Sequence, residues 1–71
     1  MTGRIKNFYV ILEVAKDILY YTKIEATLMM DARLGAEHFW PGQTKAVYTS
    51  GQFWIYKKNH PKITELPQEL A

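Results

Sequence analysis

His38 and His60 are the side chains whose type best suits acid–base or metal chemistry, and their surroundings withhold both. The chain has no cysteine, so no thiolate can complete a metal site or form a disulfide staple. No paired carboxylates stand beside either histidine. His38, next to Phe39, reads as a wall of the core, and His60, before Pro61, as a helix-start residue. Glu13, Asp17, Glu25 and Asp31 read as solvated helix charges. Ser50 lies on a turn with no evident base partner. Gly3, Gly35, Gly42 and Gly51 are isolated, so no loop is built to cradle a phosphate. The expectation is a non-catalytic protein without metal or cofactor.

What remains is binding chemistry. The net charge is +2 and the pI near 9.0, which permits nucleic-acid binding. Aromatic residues make up 14% of the chain, enough for a compact aromatic core. At 71 residues the chain is one domain, and a chain of this size buries only ~60% of its unfolded surface. No apolar run approaches the roughly 18 residues that span a bilayer, and no signal-peptide pattern opens the chain. A cytoplasmic, nucleoid-associated protein with no membrane partner is expected.

The elements that must position the cations follow from periodicity and capping. Residues 1–7, with Arg4 and Lys6, read as a flexible basic arm. Phe8, Tyr9, Val10 and Ile11 suit a short strand. Ile11, Val14, Ala15, Ile18 and Leu19 recur as one face of a helix over residues 12–21. Thr22 and Glu25 match a capping box that opens a second helix over residues 23–34. Gly35 stops that helix, and Arg33 favours its C-terminal dipole. Ile24, Leu28, Ala32 and Leu34 would pack on the first helix, leaving Met29, Met30 and Arg33 outward. Thr44 to Thr49 and Gln52 to Lys57 read as a β-hairpin turning at Ser50-Gly51, with Tyr48 opposite Phe53. Pro61 opens a short helix to about Glu65, and residues 66–71 form the tail.

Strand, helix, turn, helix, hairpin and short helix make an α+β chain, a single small winged-helix domain over residues 1–71. A winged helix sets its second helix in the major groove and its hairpin over the backbone or minor groove. Thr22 and Lys23 would offer the N-terminus of that helix to phosphate. Gln43, Thr44, Lys45, Thr49, Ser50 and Gln52 would populate the wing, with Lys57 and Lys58 adding phosphate contacts as it returns.

The segment from Ile11 to Ile63 resembles the phage excisionases, small recombination directionality factors with a minimal, MerR-like winged helix. The likeness lies in the helix pair, in GAEHF at Gly35 to Phe39, and in the aromatic return FWIYKKNHPKI from Phe53 to Ile63. The resemblance implies a protein without chemistry of its own. It would bind repeated double-stranded DNA sites beside a phage attachment site, contact neighbouring copies of itself, bend the DNA and recruit a tyrosine integrase, directing recombination toward excision. By position, Lys23, Thr27, Met30 and Arg33 would contact the major groove, and Gln43 to Gly51 the minor groove or phosphates. Glu25 and Asp31 oppose phosphate, so cooperative assembly must supply affinity. The expected protein is monomeric when free, with the Lys45 wing meeting the acidic tail residues Glu65 and Glu69 of a neighbour on DNA.

Two other classes fit the same composition. One is a winged-helix transcription regulator of a phage or mobile element. The other is a protein-binding inhibitor or adaptor that uses an aromatic and methionine surface.

Overall fold

Phe8, Val10 and Leu12 point to one side of an extended segment, and Tyr9 and Ile11 to the other. Both sets are apolar or aromatic, so this strand is stable only with a layer on each face. The computed structural model, which describes residues 4–67, shows that arrangement. Strand β1 (Lys6–Ala15) is central and turns into its antiparallel neighbour β2 (Ile18–Ala26). Helix α1 (Met29–Phe39), strand β3 (Thr44–Thr49), helix α2 (Ser50–Asn59) and the two-residue strand β4 (Thr64–Glu65) follow. The sheet order is β3-β1-β2-β4, with β3 antiparallel to β1 and β4 parallel to β2.

The helices lie on opposite faces. Phe8, Val10, Leu12 and Val47 bury against Ala32 and Ala36 of α1, joined by Leu66. Ile11 buries against Phe53 of α2 and Ile63, ringed by Tyr9, Leu19, Tyr21, Tyr48 and Tyr56. Val10, Ile11 and Leu12 are fully buried. Small residues let α1 approach closely: a Cβ added at Gly35 would stand 3.2 Å from Ile24 Cδ1.

The β1–β2 turn is Lys16-Asp17, with Asp17 at φ 65. Aspartate enters this left-handed region more readily than most residues because its short side chain bonds locally. A second irregularity lies on β3. Ile11 pairs with Ala46 and Leu12 with Thr44, so Lys45 is an extra residue without a partner across the ladder, a β-bulge.

Several expectations are corrected by this architecture. The α+β class holds, as do the strand at Phe8–Ile11, within β1, and the one at Thr44–Thr49. The helix expected over residues 12–21 is instead the end of β1, the turn and the start of β2. The helix expected from residue 23 begins only at Met29, and Gly35 lies inside it. Thr22 and Glu25 form no cap, because both sit in β2 opposite Val10 and Asn7. Helix–turn–helix and hairpin wing are therefore absent among the described residues: Gln52 to Lys57 is helical, and Tyr48 does not pair with Phe53. Pro61 and Lys62 form a turn that leads to β4 rather than a helix. Residues 1–3 of the expected arm, and the tail from residue 68 with Glu69, lie outside the described residues, while Lys6 opens β1.

The capping box that does exist opens α2. Thr49 Oγ1 accepts from the Gln52 N–H at 3.3 Å, and Gln52 Oε1 accepts from the Thr49 N–H at 3.1 Å. Thr49→Ala is expected to cost about 1 kcal/mol. Urea denaturation of the two proteins measures it, and equal midpoints would mean that the box adds nothing.

Candidate nucleic-acid interface

Phe53 anchors α2 to the sheet. Its ring stacks on Tyr9 with centroids 4.2 Å apart and planes 8° apart, and tilts against Tyr21 at 4.8 Å. Helical spacing then turns Trp54 and Lys58, one turn apart, away from the sheet. Both are exposed, Trp54 at 62%. Lys57 lies at the boundary of this face. Its Nζ stands 5.5 Å from the Trp54 ring centroid and 5.6 Å from that of Tyr21, close enough for cation–π attraction to both rings.

Trp54, Lys57, Lys58 and Pro61 line an open depression of about 530 Å³. Beyond Pro61 lies a smaller cleft of about 250 Å³, lined also by Asp17, Leu19, His60, Lys62 and Ile63. The Asp17 carboxylate makes it the poorer host for an anion. His60 closes α2 as its C-cap residue. Its Nδ1 lies 3.0 Å from the Tyr56 carbonyl oxygen, which can only accept, and its ring stacks on Tyr56 at 4.0 Å. Burial first, then Tyr48 and Glu13, raises the Tyr56 phenol above its ordinary pKa.

The electrostatics follow from the sequence. No aspartate or glutamate occurs between Glu37 and Glu65, whereas Lys45, Lys57, Lys58 and Lys62 do. Glu65 pairs with Tyr21 on the sheet and so bounds the patch on the β4 side. Among the described residues the one ion pair is Arg33–Glu37 on α1, at 3.9 Å, so Lys57 and Lys58 have no carboxylate partner there.

The residues expected to touch DNA do not form one surface. Thr22 and Lys23 are neighbours in β2 and therefore face opposite sides of the sheet. Thr27 is half-buried in the link to α1. Met30 and Arg33 are exposed on α1, across the sheet from α2. Gln43 and Thr44 are held in the α1–β3 turn: the Gln43 carbonyl accepts from the Glu13 N–H at 2.9 Å, and Thr44 Oγ1 donates to the Trp40 carbonyl at 3.3 Å. Lys45 is at the bulge and Thr49 caps α2. Ser50 Oγ donates to the Asn7 carbonyl at 3.4 Å. Of the set, Lys57 and Lys58 line the depression. His38, expected to wall the core, is exposed on α1, its ring edge-on to Phe39.

Sequence reasoning missed Trp54, Pro61 and Lys62 as site residues. The acid-free stretch from residue 38 to residue 64, with its lysines grouped around WIYKKNHPK, was the available sign. No helix among the described residues is long and apolar enough to cross a membrane, and no group of metal-ligating side chains is found among them. No family model, curated protein or solved structure matches this chain.

Proposed function

We propose that this chain is a non-catalytic nucleic-acid-binding module that meets the phosphate backbone with the outer face of α2 and the loop after it. The observation behind this reading is the exposed Trp54 flanked by Lys57 and Lys58, with Lys62 beyond, in a stretch free of carboxylates. Lysines supply sequence-independent attraction to phosphate, and the release of counterions makes it strongly salt-dependent.

Lys58 gives the test, because its side chain is exposed and holds no element in place. Lys58→Ala should weaken binding to all sequences alike and lower the salt slope by about one phosphate's worth, ~0.7–0.9. Fluorescence anisotropy at several salt concentrations measures both. Absence of binding to any nucleic acid at low salt refutes the proposal.

The excisionase reading is a narrower form of the same proposal, with α2 rather than a groove-reading helix pair meeting the DNA. It requires cooperative binding to adjacent duplex sites, a bend in the DNA and recruitment of a tyrosine integrase. Titration of one site against tandem sites, with circular-permutation bending assays, tests it. Equal affinity per site without a bend would remove it and leave the broader proposal standing. A regulator reading needs duplex binding at a promoter and no integrase.

The inhibitor or adaptor reading has its own observation. Leu28, Met30 and Leu34 are exposed at 60%, 70% and 60% around α1, on the face away from α2. Methionine adapts to irregular partner surfaces. Substitution of Met30 by glutamate separates the two readings, because it leaves nucleic-acid affinity unchanged if α2 is the binding face.

A further inference from the structure

We infer that the strand bound at α2 is single, with one unpaired base stacked on the Trp54 indole and its phosphate neutralised by Lys57 and Lys58. This rests on the nucleic-acid reading above and specifies its ligand. The depression has the parts that a nucleotide needs. Trp54 and Pro61 supply apolar walls and Lys57 and Lys58 supply ammonium groups, around a volume of about 530 Å³. That lies within the roughly 300–1,000 Å³ of small-molecule sites.

The same helix is poorly equipped to read a duplex. Direct readout in the major groove relies on arginine, asparagine, glutamine or lysine aimed at base edges. The outer face of α2 sets Trp54 and Ile55, exposed at 62% and 67%, among its lysines. The amide oxygen of Gln52 is already engaged with the Thr49 N–H in the capping box. In a duplex the base faces are covered by their neighbours, so an indole meets only edges and backbone. In a single strand every base offers a π-face, and stacking on an aromatic side chain is sequence-tolerant. Lys57 is suited to the phosphate because its Nζ, 5.5 Å from the indole centroid, stays close to whatever stacks there. No described carboxylate pairs with it.

The experiment compares a ten-nucleotide oligothymidylate, a mixed-sequence duplex and free thymidine monophosphate at one low salt concentration. Affinity is read by anisotropy or competition, and stacking by tryptophan fluorescence in a Trp40→Phe background, where Trp54 is the single emitter. The oligothymidylate is expected to bind at least about tenfold more tightly than the duplex and to quench Trp54, with the monophosphate quenching weakly at high concentration. Trp54→Ala should lose about tenfold or more of the single-strand affinity, the scale of one lost stacking platform. Trp54→Phe should retain most of it, and far-UV circular dichroism should be unchanged in both variants. Equal or tighter duplex binding that is insensitive to Trp54→Ala overturns the inference and leaves the nucleic-acid reading intact. No binding of either polymer overturns both.

Discussion

Phe53→Ala is expected to unfold most of the protein at moderate temperature. Phe53 is 2% exposed and lies against both Tyr9 and Tyr21. It is the one fully buried side chain that α2 contributes. Truncating such a ring costs ~3–5 kcal/mol, combining lost transfer energy with the cavity left behind. A chain of 71 residues, at ~0.05–0.15 kcal/mol per residue, has only roughly 4–10 kcal/mol in total. The loss is therefore comparable with the whole. Thermal and urea denaturation followed by circular dichroism measure it, with Phe53→Leu as the milder companion, since leucine retains most of the apolar volume. If Phe53→Ala melts within a few degrees of the parent, α2 is not held as described, and the placement of Trp54 and Lys58 fails with it.

Ala36→Leu probes the other layer, and here two effects oppose each other. Leucine is nearly as good a helix former as alanine, so helix propensity predicts almost no change. Packing predicts a large one. Ala32 and Ala36 are fully buried under α1, and Gly35 already approaches Ile24. Extra methylenes there must push the helix off the sheet or force poor rotamers, at ~1–3 kcal/mol or more. Packing wins by that margin, so the variant should be clearly less stable in urea. Leu34→Ala is the control, since Leu34 is 60% exposed and surface changes usually stay within about 0.5 kcal/mol. A stable Ala36→Leu protein would mean that the gap between α1 and the sheet is not set by small residues.

The central strand shows why the sequence misled over its first third. β1 is buried on both faces, so its apolar run is unbroken and has no two-residue alternation. The same run, continued through Ile18 and Leu19, also satisfies helical spacing, and a short run of this kind cannot be told from a helix by periodicity alone. The turn that would have divided it is Lys16-Asp17, without the glycine that usually marks a tight hairpin. Capping motifs were ambiguous for a related reason. Thr22 and Glu25 have the right spacing but sit in a strand, whereas Thr49 and Gln52 have it and do cap a helix. Ser50-Gly51 resembled a hairpin turn and is in fact the first turn of α2.

The site was legible in its chemistry and not in its geometry. The lysines and aromatic residues could be read directly. Which lysines share a surface depends on sheet order and on the face taken by each helix, and the first-third error shifted both. Lys57 and Lys58 fall together because the local sequence around Trp54 builds the depression within one helix and the turn after it.

The bulge at Lys45 bears on how the protein behaves when concentrated. β3 is one of the two outer strands of the sheet, and an outer strand offers free amide and carbonyl groups on which another molecule's strand can pair. Ladder growth of that kind needs a flat, regular row of partners. The unmatched residue breaks the row one position into β3, and the side chain at the break is an ammonium that resists dehydration. Five residues beyond it, at Ser50, the backbone leaves the sheet as a helix. An approaching copy therefore finds only a short regular template along β3, one of the ways in which an edge strand resists pairing with another molecule.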